Sequence, residues 1–383
     1  MVKDKIIIIP FHLPWNWTAD YERETAQVLS KNNLVFAVNC HDLLTIKRIF
    51  KKENRWLIKK KSKNLFFIQV FCLLPFLRFY LIKKINLFLF FLFLNLFLSI
   101  KKKNKEKIFW LFQPKLYFLK YPLLNHLLIY DCVDFFTSDD KKEKKEINES
   151  ERKVLKEFDF VFVNSNALYQ KKKRYQKDLH LVPQGFCIDI FKSPQKLPSK
   201  NIFKKLKRPI LGYIGGINYR LDYQLIKTIV KKNSNLNFVL SGPFQESEQI
   251  ENEIKQLKSF KNVYLHQAKN KNQVPSVIKE FDICLIPYNI KQDFNKFCHP
   301  MKIFEYFYLK KPVISTPIEE LKRFQPYVKI ADNADKFSEE IKKIIKTDWP
   351  KEYAQKQRKL AIENSWENKI KKISEVINKN HAI

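Results

Sequence analysis

The sequence predicts an α/β protein made of two doubly wound, largely parallel sheets, each with its own core. Three observations carry this. At 383 residues the chain is long enough for two cores. It opens as strand, helix, strand, an order that makes a parallel pair. From residue 209 onward the same alternation returns several times. A hydrophobic share of 45% and an aromatic share of 15% exclude a disordered chain.

Ile6, Ile7, Ile8 and Ile9, closed by Pro10, read as a first buried strand and are too short for a signal peptide. A helix over residues 20–30 and a strand over 34–39 follow. In a doubly wound sheet, ligands gather at the carboxyl ends of the strands. The loop carrying His12, Trp15 and Trp17 is at such an end. Either its indoles stack on a sugar ring while His12 bonds the hydroxyls, or the tryptophans merely cap the sheet.

Residues 65–70 read as another strand. Residues 87–100 are apolar apart from Asn95 and Ser99 and are flanked by lysines. That is short of the ~20 apolar residues that span a bilayer. Extension back to residue 64 brings in Pro75, Arg78, Lys83 and Lys84. The segment is therefore expected to pack on the sheet or to lie in a membrane interface.

The charge balance bears on this choice. The chain holds 72 Lys and Arg against 39 Asp and Glu, a net +33. Residues 47–120 contain 19 bases and only two acids, Glu53 and Glu106, whereas the rest of residues 1–190 has 16 bases and 17 acids. A coding bias toward Lys, Asn, Ile and Phe scatters lysines everywhere and does not concentrate them. An anionic membrane surface against residues 47–120 is the expected partner, and a solvated basic face over a buried helix is the alternative. Nucleic acid is not the expected partner. Six cysteines without a C-x-x-C form neither a zinc site nor a disulfide framework and fit a reducing cytoplasm.

Residues 107–112 read as a strand, and residues 127–132 as one leading to Asp131 and Asp134. Asp134, facing out at a strand end, either orients an acceptor hydroxyl and balances positive charge, or caps the next helix. Asp131 is expected to anchor the turn. A charged helix over 143–158 and a strand over 159–163 follow, then a turn at Gly185 and a linker over 193–208.

The second half opens with a buried strand over 209–214 and the turn Gly215, Gly216, with Arg220 close behind. Two glycines ahead of a helix let backbone N–H groups approach a phosphate, and a guanidinium adds a fork of donors. Asp222 reads as a first-turn helix charge. Strands over 237–241 and 282–286 end at Gly242 and Pro287. The stretch from His299 to Thr316 then reads as loop, short helix and buried strand. Pro300 suits a first turn, and Lys302 and Glu305, three apart, share one face. A cation at a helix start suits an anion, and a carboxylate one turn on suits a hydroxyl pair. That is what a nucleotide-sugar presents; the alternative is an ordinary αβ unit with solvated charges.

HPMKIFEYFYLKKPVIST, at 299–316, resembles the signature of glycosyltransferase family 4, which has the GT-B fold. It is most similar to the branch with a P-x-K-x-x-E-Y core found in teichuronic acid and other envelope polysaccharide synthesis. LLIYDCVDFF, FVFVNS, LVPQGFCIDIF, ILGYIGGINYRLD, FVLSGP and DICLIPY resemble further family segments in the family's order. The resemblance implies two Rossmann-like domains facing across a cleft: 1–192 for the acceptor, 193–364 for the nucleotide-sugar, and a helix at 365–383 crossing back to the first. It implies a hexosyltransferase-type enzyme that moves a sugar to a cell-envelope glycan or lipid-linked acceptor, with retention, without a metal or resident cofactor. The enzyme would lie on the inner face of the cytoplasmic membrane.

The resemblance assigns Glu305 to the donor ribose. It assigns the backbone of Met301 and Lys302, the Gly215–Gly216 turn and Arg220 to the diphosphate. Gly242, Pro287 and His299 fall in segments beside the nucleotide, and His12, Trp15, Trp17 and Asp134 on the acceptor side. Two departures are visible: no glycine precedes Gly185, and Phe297 stands where many members pair a second glutamate with Glu305. They favour the rival reading, a non-catalytic basic membrane- or nucleic-acid-associated protein on a degenerate GT-B scaffold. A third reading, an NAD oxidoreductase, lacks any G-x-G-x-x-G.

Overall fold

A computed structural model describes the chain except residues 17–20, 46, 47, 49–56, 103, 124, 177, 268, 269, 297, 382 and 383. Two compact units emerge, Met1–Pro183 with Trp366–Ile383, and Gln184–Ser365. The division falls ahead of the boundary at 192, so the Gly185 turn belongs to the second unit.

The first unit runs β1 (Ile6–Phe11), α1 (Tyr21–Leu29), β2 (Leu34–Leu44), β3 (Ile58–Ser62), β4 (Leu65–Phe71), α2 (Tyr80–Lys101), β5 (Lys107–Leu111), β6 (His126–Cys132), α3 (Lys141–Glu157), β7 (Phe160–Val163), α4 (Asn166–Lys172) and β8 (Leu179–Leu181). Its sheet has the order β3-β4-β2-β1-β5-β6-β7-β8. All pairs are parallel except β3–β4. The central strands are buried on both faces: every residue of β1 is buried, as its unbroken apolar run requires. The antiparallel edge β3 carries Lys59, Lys60 and Lys61, a composition that blunts an open edge; the lysine-rich sequence gave no strand signal there.

The second unit runs α5 (Asp189–Lys192), β9 (Ile210–Ile214), α6 (Tyr223–Lys232), β10 (Asn237–Ser241), α7 (Glu248–Lys258), β11 (Val263–His266), α8 (Val274–Glu280), β12 (Ile283–Ile286), α9 (Asp293–Lys296), α10 (Lys302–Tyr308), β13 (Val313–Ser315), α11 (Glu319–Lys322), β14 (Lys329–Ile330), α12 (Ala334–Thr347) and α13 (Lys351–Glu363). The six strands are parallel in the order β11-β10-β9-β12-β13-β14. The order reverses between β9 and β12, so a crevice opens at their carboxyl ends.

The last helix, α14 (Trp366–His381), belongs to the first unit. It sends Lys369 into that unit's core, where Nζ lies 3.0 and 2.9 Å from the two carboxylate oxygens of Asp131. Both side chains are fully buried. Asp131 therefore does not anchor the turn, as the sequence had implied, but pairs across 238 residues of chain. A second buried pair, Lys172–Glu151 at 2.5 Å, is tied to the Tyr130 hydroxyl at 2.8 Å.

Removing one partner of a buried pair strands the other charge without water. Lys369→Met is expected to destabilise the full chain by about 3–5 kcal/mol, read as a lower urea midpoint. Asp131→Leu combined with Lys369→Met should recover most of that loss, because no charge is then left in the core.

Candidate functional site

In the second unit the crevice between β9 and β12 is built around one ammonium. Lys302, the first residue of α10, hydrogen-bonds the Tyr288 hydroxyl. Its Nζ also lies 4.7 Å from the centre of the Tyr288 ring and 5.2 Å from that of Tyr213. Tyr213 comes from β9 and Tyr288 follows β12, so adjacency of those strands is what brings both rings to one lysine. Burial works to raise the Tyr288 phenol, but Lys302 and Arg220 outweigh it and hold it below its ordinary value. Tyr213 is raised well above its usual range by burial, which the opposing pull of Arg220 does not offset.

The glycine turn packs directly on that lysine. A Cβ on Gly215, at φ +140°, would meet the Tyr213 hydroxyl at 2.9 Å and Lys302 Nζ at 3.2 Å. Gly215 N donates to Ser241 O at 2.9 Å, and Tyr213 Oη donates to Gly216 O at 3.0 Å. Gly242, at φ +152°, leaves the space that the Gly215 carbonyl occupies: a Cβ there would sit 1.9 Å from that oxygen. Gly242 thus supports the turn rather than facing the crevice on its own account. Arg220 lays its guanidinium 3.8 Å from the Phe294 ring centre, 5.9 Å from that of Tyr288. Pro287 is buried at the end of β12, and its carbonyl accepts from Asp222 N at 2.9 Å.

Two expectations change. The Gly215–Gly216 turn does not open a helix: α6 starts at Tyr223, and Asp222 is its N-cap, accepting from Leu225 N at 2.9 Å. The short α10 begins after Pro300, and its first N–H groups are partly used, Ile303 N donating to Pro300 O and Phe304 N to Met301 O at 3.1 Å. Charge at this end comes chiefly from Lys302 and less from a helix dipole.

Glu305 lies one turn along α10 from Lys302 and is half-buried. Burial raises its carboxyl above the usual range, against the opposing pull of Lys271 and Lys302. Lys271, half-buried, is pushed down by burial to about 8, with Glu305 holding it up. His299 is buried, stacks on Phe304 at 5.4 Å, and accepts from Arg323 Nη2 at 3.0 Å through Nε2. Its face toward solvent is closed, and Met301 Sδ accepts from Gln184 Nε2 at 3.6 Å. Phe297, the substitute for a second glutamate, lies outside the described residues.

In the first unit His12 follows β1. Glu22, from α1, accepts from His12 Nδ1 at 2.6 Å, from His12 N at 3.1 Å and from Leu13 N at 3.3 Å, while Tyr21 Oη donates to His12 Nε2 at 3.3 Å. Asp134, two residues past β6, is half-buried and accepts from Phe135 N at 3.0 Å. Burial first, then Glu22 and Asp134, raise the Tyr21 phenol, which ties these groups into one electrostatic neighbourhood. Trp15 stacks on Phe11 at 5.5 Å, meets Phe67 edge-on at 5.0 Å and has Lys61 Nζ 4.6 Å from its ring centre. That is a ring capping the sheet. Trp17 lies outside the described residues. A cavity of about 590 Å³ lined by Lys5, Glu106, His126 and Asn378 is at the amino edge of this sheet, away from these groups.

A family profile described as "Glycosyl transferases group 1" matches residues 195–365. Those residues are similar to that family. A Bacillus subtilis (strain 168) protein, TuaH, named as a teichuronic acid biosynthesis glycosyltransferase, is 24% identical over 64% of this chain and 66% of its own length. Sucrose-phosphate synthase from Thermosynechococcus elongatus superposes with a TM-score of 0.73 at 13% identity, covering 99% of this chain and all of that one. The Anabaena HepE structure, in complex with UDP and glucose, gives 0.67 at 12% identity over 97% and 99%. An E. coli structure bound with UDP-2-fluoro glucose gives 0.70 at 10% identity over the same shares. The fold is GT-B.

Within the matched residues, Gly215, Gly216, Arg220, Lys302 and Glu305 converge on one crevice, supported by Gly242 and Pro287. Glu22, Lys271, Tyr213 and Arg323 were not singled out from sequence. Glu22 is ten residues from His12 and Arg323 is 24 from His299, with no spacing that announces either pair. Gly242→Ala is expected to cost roughly 2–4 kcal/mol in chemical denaturation, since positive φ and the Gly215 carbonyl both refuse a side chain.

Proposed function

We propose that the chain is a glycosyltransferase that moves a sugar from a nucleoside-diphosphate sugar to a hydroxyl of a cell-envelope glycan or lipid-linked acceptor. The observation that carries this is the gathering of Lys302, Arg220, the Gly215 turn and Glu305 where β9 and β12 part. In the proposed reaction Glu305 accepts hydrogen bonds from the donor ribose, and Lys302 and Arg220 stand by the diphosphate. As the glycosyl–oxygen bond breaks, negative charge grows on the leaving phosphate, and preformed cations lower that barrier. This role is given to side chains, with no resident cofactor, and transfer is taken to proceed with retention. The name of the B. subtilis relative supports an envelope polysaccharide as the destination.

On the acceptor side, Asp134 orients the incoming hydroxyl. His12, held by Glu22 and Tyr21, lines the same side. The enzyme is taken to work in the cytoplasm, peripheral on the inner face of the membrane.

Saturation-transfer NMR with UDP, GDP and NAD tests the donor half. One nucleoside diphosphate is expected to bind, and Glu305→Ala to weaken it about tenfold or more, the scale of a lost hydrogen bond to a charged group. Binding of NAD alone, or of none of the three, sinks the reading.

A pH series tests the same crevice. Lys271 is protonated below about 8 and neutral above. Above that pH the Glu305 charge loses one of its two nearby cations, so affinity for the nucleoside diphosphate should fall as pH rises through about 8. In Lys271→Met the inflection near that pH should vanish.

A further inference from the structure

The helix α2 is apolar on every side, yet only one stripe of it is covered. Leu87, Phe91, Leu94 and Leu98 recur at helical spacing and are buried. The opposite side is equally apolar and open: Leu81 is 68% exposed, Phe93 67%, Leu96 55%, Phe97 47% and Ile100 79%. A helix hydrophobic all round is stable when buried all round, so the open side calls for a cover. The preceding loop adds to it. Leu73 is 64% and Phe76 63% exposed. Buried Asn86 holds that loop rigidly, donating to Leu74 O at 3.0 Å and accepting from Leu74 N at 2.9 Å.

We infer that this open side of α2, with the Leu73–Phe76 loop, is a lipid-embedded surface that lies flat in the interface of an anionic bilayer. Charge selects the occupant. Residues 54–105 contain no acid, and Arg78 precedes the helix while Lys101 and Lys102 close it, all exposed. Lipid phosphates complement that rim, whereas a second copy would bring the same cations against it. Lys83 and Lys84 face inward instead. Lys83 donates to His41 O at 3.3 Å and Lys84 to Glu146 Oε1 at 3.2 Å, with the Tyr80 hydroxyl also on Glu146 at 2.6 Å.

These bonds and the buried stripe fix α2 to its own unit along its length. Although 22 residues, about 33 Å, are long enough to cross a bilayer, a helix held this way is placed to lie in the interface. The inference deepens the peripheral, envelope-directed reading above and rests on it for its purpose.

The test uses the full chain with vesicles of phosphatidylcholine, with and without phosphatidylglycerol. Wild type should sediment with the anionic vesicles. Phe93→Glu combined with Phe97→Glu should reduce that binding about tenfold or more while leaving the circular dichroism unchanged. Lys101→Glu with Lys102→Glu should remove the preference for phosphatidylglycerol. Phe97→Trp should give fluorescence that acyl-brominated lipids quench beyond the wild-type level.

Wild type remaining in the supernatant with both vesicles overturns the inference, as does undiminished binding of the Phe93, Phe97 variant. So does a dimer in sedimentation velocity that this variant converts to monomer. Nucleotide binding by the same preparations separates the two readings. Vesicle binding without nucleotide binding leaves the surface standing and removes the transferase; the reverse removes only the surface.

Discussion

One cation sets the geometry of the second unit. Lys302 can rest between Tyr213 and Tyr288 only because β9 and β12 are neighbours, and only because Gly215 has no Cβ to displace it. A half-buried ammonium needs partners, and here a phenol oxygen and two aromatic faces supply them. The arrangement partly satisfies the charge, and the Glu305 carboxylate adds a Coulombic attraction. In the proposed function Lys302 is matched to an anion and Glu305, one turn on, to hydroxyls. A ligand with a charged end and a hydroxylated end satisfies both.

The first unit has the same sheet logic and different chemistry. The group at its carboxyl edge is His12 gripped by Glu22, with Asp134 nearby, and no glycine turn. The grip holds the ring from both sides, Nδ1 on Glu22 and Nε2 on the Tyr21 hydroxyl. Beneath it the core holds Asp131–Lys369 and Glu151–Lys172. Such pairs are poor sources of stability but demand their own geometry. The first makes the last helix indispensable to a sheet whose strands end long before it.

What the sequence made legible follows from which interactions are local. The β-α-β order, the buried strands, the Lys302–Glu305 spacing and the glycine turn are local, and all could be read before any coordinates. Lys369 and Asp131 are not: nothing marks a lysine in an amphipathic helix as the partner of an acid 238 residues away. The edge strand β3 was hidden because its lysines mimic a solvated loop. Strand–glycine–glycine predicts a helix start because that is the commoner arrangement, and the intervening turn, closed by Leu221 N on Asn218 O and Asp222 N on Pro287 O, has no sequence signature. Trp15 was legible as a strand-end ring, but which surface of it was spoken for depended on Phe11, Phe67 and Lys61.

Composition and architecture meet in the glycines. The chain has only five, all between residues 185 and 242, in a sequence otherwise filled with Lys, Asn, Ile and Phe. Gly212 has the Phe281 ring where its Cβ would be, and Gly242 has the Gly215 carbonyl. These are steric demands of the second sheet's centre, where backbone touches backbone beside the crevice. The first unit meets no such demand, because its edge is built from side chains. The scarcity of glycine thus marks the unit where close backbone approach is needed, and the lysine excess marks the other unit, at α2. The proposed grip on a diphosphate and the inferred grip on a lipid phosphate would be separate devices: one sets a half-buried cation against a tight turn, the other exposed cations around an apolar face.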